Sequence, residues 1–222
     1  MEKQQLYHLN AEALLSALRQ RKPSRESFKL PFSISDAKEA LISAVQVEVE
    51  YRKGRFVKSE ALQQQAGQMA AWLTSDHAKS GMLLCGKCGN GKTTLVRAFQ
   101  SLLNILNIRN DYYNTTWGIR IMEARDITHL CKTKYQEWQR LCHVQMLAID
   151  DLGTEPTEVL DFGNVLNPVV DLLTKRYNEQ LFTIITTNLT PAEIREKYGD
   201  RIADRFNEMM EKIIFKNDTY RV

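Results

Sequence analysis

Residues 81–94 read GMLLCGKCGNGKTT, and the fold turns on which of two patterns in this stretch carries chemistry. Cys85 and Cys88 stand in C-x-x-C spacing, which suits a thiol pair or half of a zinc site. Gly86, Gly91, Lys92 and Thr93 stand in the spacing of a loop that wraps phosphates. Such a loop needs small residues where backbone approaches an anion, inward N–H groups, and a helix whose positive end meets the charge. Gly86, Gly89 and Gly91 supply the first, and the helical pattern over 92–106 supplies the last. The apolar run 81–86 provides the strand that should precede the loop. The thiol pattern lacks a second half, because Cys131, Cys142 and His143 form no further C-x-x-C. The phosphate reading prevails.

On that reading Gly86, Lys87, Cys88, Gly89, Asn90, Gly91, Lys92, Thr93 and Thr94 cradle a nucleotide. Lys92 reaches the β- and γ-phosphates, and the Thr93 hydroxyl is a ligand for Mg²⁺. A phosphate loop acts with an acid at the tip of a neighbouring strand, and MLAIDD at 146–151 offers one. Asp150 is placed to organise Mg²⁺, and Asp151 to polarise an attacking water. Asp-Asp-Leu-Gly is also good turn chemistry. IITTNLT at 184–190 ends an apolar strand in polar residues, of which Asn188 is the first choice to orient water or sense the γ-phosphate and Thr187 the second. Either Asn188 or Thr190 would equally cap the helix that follows. In GDRIADRFNEMM, Arg201 and Arg205 lie one turn apart, a like-charge spacing that opposes the helix mildly and suits either a use for the pair or a surface salt-bridged to Asp204 and Glu208.

Around these motifs short apolar runs alternate with helical stretches. Strands are expected at 81–86, 118–123, 146–150, 181–187 and 212–215. Helices are expected at 92–106, from 124 to about 138, at 158–178, and as two short ones between 191 and 210. Nearly all-apolar strands alternating with helices predict a parallel sheet covered on both faces. Upstream, Asn10 caps a helix over 9–19, Pro23 breaks the pattern, 30–36 is extended, and a second helix starts at Ser35, carries apolar residues through Val49 and ends at KGR, 53–55. Residues 1–58 therefore form a small helical N-terminal region, and 59–222 the main domain.

The chain has 222 residues, enough for one good core and a small appendage, with net charge +3. Residues 1–60 hold 11 Lys+Arg against 8 Asp+Glu, and the remainder holds 19 of each, so the basic excess lies at the N-terminal end. That balance suits an arm meeting an acidic partner or a phosphate backbone. No apolar run approaches the length of a membrane span and the N-terminus lacks a secretory pattern, so a cytoplasmic protein is expected. Residues 124–140 carry Arg125, Lys132, Lys134 and Arg140 with Tyr135 and Trp138 interleaved, a pattern that suits single-stranded DNA and equally a solvated helix with its aromatics in the core. Tyr112, Tyr113 and Trp117 are weaker candidates. Asp161–Gly163 spells DFG, but no H-R-D loop or lysine strand precedes it, so a kinase is excluded.

GKCGNGKT, LAIDDLG, ITTNL and RIADRF, in that order, closely resemble the AAA+ ATPases of the DnaC/DnaI helicase-loader group and the IstB transposition helpers. The resemblance covers about residues 60–216. It implies a P-loop NTPase sheet with ATP and Mg²⁺ at Lys92, Thr93 and Asp150. It makes Asp150 and Asp151 the Walker B pair, Asn188 the first sensor, and Arg205, with Arg201 beside it, an arginine finger for an adjoining subunit. It implies an N-terminal region gripping a replicative helicase and a domain that binds single-stranded DNA. Two departures stand out. Asp151 occupies a position where many AAA+ proteins have Glu, which implies slow hydrolysis, and the stretch after Arg205 is too short for a C-terminal helical lid. A transposition helper and a non-catalytic nucleotide-gated adaptor are the competing readings.

Overall fold

The computed structural model describes residues 10–21, 28–76, 79–111, 114–161 and 164–220. In chain order the elements are α1 (Ala11–Arg21), α2 (Ile34–Tyr51), α3 (Glu60–Thr74), β1 (Gly81–Gly86) and α4 (Lys92–Leu106). They continue with β2 (Arg109–Asn110), β3 (Thr115–Thr116), β4 (Arg120–Glu123), α5 (Ala124–Thr133), α6 (Tyr135–Cys142) and β5 (Met146–Leu152). The last are β6 (Val159–Asp161), β7 (Asn164–Leu166), α7 (Pro168–Asn178), β8 (Phe182–Thr187), α8 (Pro191–Tyr198), α9 (Asp200–Met209) and β9 (Met210–Phe215).

The main sheet has five strands in the order β4-β5-β8-β1-β9, every pair parallel. β1, β5 and β8 are almost wholly buried because helices cover both faces, so their sequences are apolar nearly throughout. The core divides accordingly. On one face Leu41, Ala66, Met69 and Phe99, from α2, α3 and α4, pack against Met82, Leu84 and Ile184. On the other, Ile127, Leu172, Ile202 and Phe206, from α5, α7 and α9, pack against Leu83, Leu147 and Ile149.

The sequence reading needs correction in several places. The stretch 158–178 is not one helix. An antiparallel hairpin of β6 and β7 precedes α7, which starts at Pro168, the first-turn position where proline's missing N–H costs nothing. The helix after β4 breaks at Lys134, whose φ of −144° is extended, so α5 and α6 are separate. α3, absent from the sequence reading, starts at Glu60 behind the N-cap Ser59, whose hydroxyl accepts from Leu62 N–H. α2 begins one residue earlier than expected, capped by Ser33. α2 also shares the core with α3 and α4, and Phe28 packs edge-on against Phe99, Trp117 and Phe182. Asn10 caps α1 through bonds from the Glu12 and Ala13 N–H groups. The Pro23 break lies outside the described residues. Among the described residues no helix is long and apolar enough to cross a membrane.

Candidate nucleotide site

The sheet order decides the site. β8 lies between the strand that feeds the phosphate loop, β1, and the strand that carries the acids, β5. Three strand ends therefore converge, with Asn188 between Lys92 and Asp150. Gly86, Gly89 and Gly91 have φ of 156°, 79° and 97°, and Gly91 is the left-handed residue at the N-terminus of α4. A side chain at Gly91 would be strained, so the loop needs glycine there.

Lys92 folds back into its own loop. Its Nζ donates to Gly86 O (2.7 Å), Lys87 O (2.9 Å), Asn90 Oδ1 (3.1 Å) and Asn188 Oδ1 (2.9 Å). All four acceptors are uncharged. Burial lowers the Lys92 pKa below its usual value, opposed by the charges of Asp151, the two nearby cysteines and Asp150. A buried cation held only by neutral oxygens is suited to exchanging them for anionic phosphate oxygens.

The acids stand in a bulge. β5 and β8 run in register to Ile149↔Ile185, then shift so that Leu152 pairs with Thr187, and Asp150 and Asp151 fall in the irregular step. Asp151 has a left-handed φ of 52°, uncommon for a residue with a Cβ. Asp150 is buried, and its Oδ1 accepts from both Thr93 Oγ1 (2.8 Å) and Thr186 Oγ1 (2.6 Å). Thr186 in turn accepts from Asp151 N–H (2.9 Å). Thr93 and Asp150 thus put a hydroxyl and a carboxylate oxygen together, a hard-oxygen set that fits Mg²⁺. A cleft of about 290 Å³ beside Asp150 has Arg97, Glu123 and Asp126 on its walls.

The other candidates are placed as follows. Lys87 and Cys88 are exposed in the loop, Asn90 is wholly buried, and Thr94 is half-buried on α4. Burial raises the Cys85 thiol pKa, and among the described residues the cysteines form no disulfide. Thr187 closes a structural bond to Leu152 O (2.7 Å). Arg205 is held on α7, donating to Thr174 Oγ1 (2.6 Å) and lying 4.8 Å from the Tyr177 ring centre, while Arg201 is exposed. Neither arginine is brought to Lys92 within the chain. The salt bridges foreseen for Asp204 go to Arg195 instead.

The DNA pattern is split. Arg125, Lys132, Lys134, Tyr135 and Arg140 are exposed, but Trp138 is only 2% exposed and sits in the core. Trp138 is therefore corrected from a base-stacking to a packing residue, with Tyr135 stacked on one side and Lys175 over its ring. Trp117 likewise packs on Phe28, and Tyr112 and Tyr113 lie outside the described residues. Sequence reasoning missed Thr186, although a hydroxyl ending an apolar strand next to the acids was a legible signal. It also missed Asn217 and Tyr220, which contact the phosphate loop from far along the chain.

Residues 10–222 match the family model described as IstB-like ATP binding protein. The chain belongs to that family. No curated protein matches it in sequence. Among solved structures, this IstB-like protein is similar to the DnaC helicase loader, at 20% identity and a TM-score of 0.55 over 73% of this chain and 94% of that one. It is similar to DnaI at 19% identity and a TM-score of 0.58, over 88% and 96% of the two chains. The AMPPCP-bound DnaA from Aquifex aeolicus gives 18% identity and a TM-score of 0.52, over 73% of this chain and 49% of DnaA. These likenesses place the IstB-like chain in the P-loop AAA+ fold.

Proposed function

We propose that this IstB-like protein is an ATP-hydrolysing switch that delivers a replicative helicase to single-stranded DNA. The observation that carries the reading is the bond between Asn188 Oδ1 and Lys92 Nζ (2.9 Å). The γ-phosphate of ATP competes for that same ammonium, so Asn188, at the end of β8, exchanges partners when nucleotide arrives or is cleaved. Lys92 and the loop N–H groups hold the phosphates, while Thr93 and Asp150 hold Mg²⁺, which when bound neutralises phosphate charge. Asp151 accepts the proton of the attacking water. Its short side chain slows turnover, which suits a switch better than a motor. Arg205, released from Thr174, reaches the γ-phosphate of an adjoining subunit. The N-terminal region, 1–58, holds the helicase, as its basic excess allows.

The likeness to the DnaC helicase loader supports this client through the fold alone. A second reading, a transposition helper that remodels duplex DNA, draws on the family match over 10–222. The native mass of the protein mixed with its host's replicative helicase, with and without ATP, separates them. A discrete complex that responds to ATP supports the loader. ATP-dependent oligomers on duplex DNA without any helicase complex would move the assignment to the transposition helper.

A further inference from the structure

The phosphate loop is held from its outer side by the segment that follows β9. Asn90 donates from Nδ2 to Phe215 O (3.2 Å), while its Oδ1 accepts from Lys92. Asn217 donates from Nδ2 to Asn90 O (3.2 Å) and accepts at Oδ1 from Gln65 Nε2 (2.8 Å), a buried side chain of α3. Tyr220 N–H donates to Gly89 O (2.9 Å), and its hydroxyl lies 2.8 Å from Ser59 Oγ, the N-cap of α3. The Tyr220 ring stands 3.4 Å from where a Cβ on Gly91 would be.

Two consecutive carbonyls of the loop, those of Gly89 and Asn90, are thus bonded to one short segment. In a planar trans peptide the carbonyl and the following N–H point in opposite directions. Fixing Gly89 O and Asn90 O towards 216–220 therefore fixes the N–H groups of Asn90 and Gly91 away from it. Successive N–H groups held in one orientation are what bind phosphate oxygens, and holding them beforehand removes an ordering cost from binding.

We propose that residues 216–220 are a clamp that preorganises the phosphate loop, with Asn217 and Tyr220 as positioning residues for nucleotide. The clamp rests on the ATP reading above. It makes the loop depend on α3: Gln65 and Ser59 anchor the segment, and Asn90 carries the constraint to Lys92. A displacement of α3 by anything bound to the N-terminal side would loosen the phosphate site.

The test is calorimetric titration of Asn217→Ala, Gln65→Ala and Tyr220→Ala with ATP–Mg²⁺ and with inorganic tripolyphosphate, which has no base or ribose. Titrations run at a temperature where circular dichroism shows each variant folded. Asn217→Ala is expected to weaken both ligands alike, by about tenfold for a lost bond to the loop. Gln65→Ala, which keeps the Asn217–Asn90 bond, should lower the melting temperature comparably but weaken binding less. If Asn217→Ala does not fold, Tyr220→Ala, which removes the anchor at Ser59 and the ring beside Gly91 but keeps the backbone bond to Gly89 O, should still weaken both ligands alike. Unchanged affinity with a lower melting temperature would reduce the segment to packing and overturn the clamp. Loss for ATP alone would point to a base contact, and tighter binding of both ligands to an occluding strap; either overturns it. If the wild-type chain bound neither ligand, the ATP reading itself would fail and the clamp with it.

Discussion

Thr186 and Asp150 are joined by a 2.6 Å hydrogen bond at the point where β5 leaves register with β8. The same hydroxyl accepts from Asp151 N–H, so one side chain fixes the orientation of Asp150 and the backbone of Asp151. Thr186→Val keeps the shape and removes both bonds. Because groups that orient a metal ligand matter nearly as much as the ligand, Mg²⁺-dependent ATP turnover should fall about 10- to 100-fold. Binding of ATP without Mg²⁺ should change little, and Thr186→Ser should retain activity. Steady-state turnover across a Mg²⁺ titration checks this. Unaltered turnover in the valine variant would remove Thr186 from the site.

Lys92 predicts a pH effect with a definite sign. In the free protein burial holds its pKa below 10.5. Bound phosphates return negative charge to the ammonium and raise that pKa. The complex therefore holds more proton than the free protein in the alkaline range below 10.5, so binding takes up protons and affinity falls as pH rises there. Titrations at pH 9 in two buffers of different ionisation enthalpy should show net proton uptake. Lys92→Met should abolish it together with most of the affinity. Proton release on binding would contradict the placement of the phosphates at Nζ.

Arg205 stands half-buried against Thr174 and Tyr177, away from the Lys92 cluster of its own chain. If it serves a neighbouring subunit, Arg205→Ala should lower turnover by a factor of about 10³ or more while leaving ATP affinity nearly intact. Leaving Tyr177 costs about 0.5–1 kcal/mol, small enough for a partner's phosphate to offset. Mixing Arg205→Ala subunits with Lys92→Ala subunits should restore part of the turnover, since some interfaces then join an intact site to an intact arginine. No restoration at any mixing ratio would argue against action between subunits.

The sheet was legible because its strands are read locally: GMLLCG, MLAID and LFTIITT are apolar nearly throughout, as strands covered on both faces must be. Lys92, Thr93, Asp150 and Asn188 were legible for a related reason, each lying within a few residues of a strand end. The stretch 159–166 misled because Val159, Leu160, Val165 and Leu166 also suit a helical stripe, and only Pro168 marks where the helix starts. α3 was overlooked because its run of glutamines dilutes the apolar face that Ala66, Met69, Ala70 and Leu73 bury. Asn217 escaped for a deeper reason. It touches Asn90, 127 residues away, and no local pattern reports a contact of that range.

The burial of Trp138 divides the basic stretch into two experiments with opposite outcomes. Trp138 fills the core beneath α6, so Trp138→Ala should cost about 3–5 kcal/mol of stability, read from denaturant unfolding. Its effect on DNA should not exceed what unfolding explains. Tyr135 is half exposed and lies stacked 5.4 Å from the Trp138 ring, with its outer face open to a base. If this helix pair meets single-stranded DNA, Tyr135→Ala should weaken that binding by about 1–3 kcal/mol with little change in stability. Lys132 and Arg140 are exposed, whereas Arg125 is tied to Thr154 O in the turn after β5. Each lysine or arginine that meets a phosphate contributes a salt dependence of about 0.7 in the log–log slope for a single strand. Lys132→Ala with Arg140→Ala should therefore flatten that slope by about 1.4. Fluorescence anisotropy of a labelled oligonucleotide across a salt series reads both effects. A slope unchanged by the double substitution would move the DNA surface off α5 and α6 altogether.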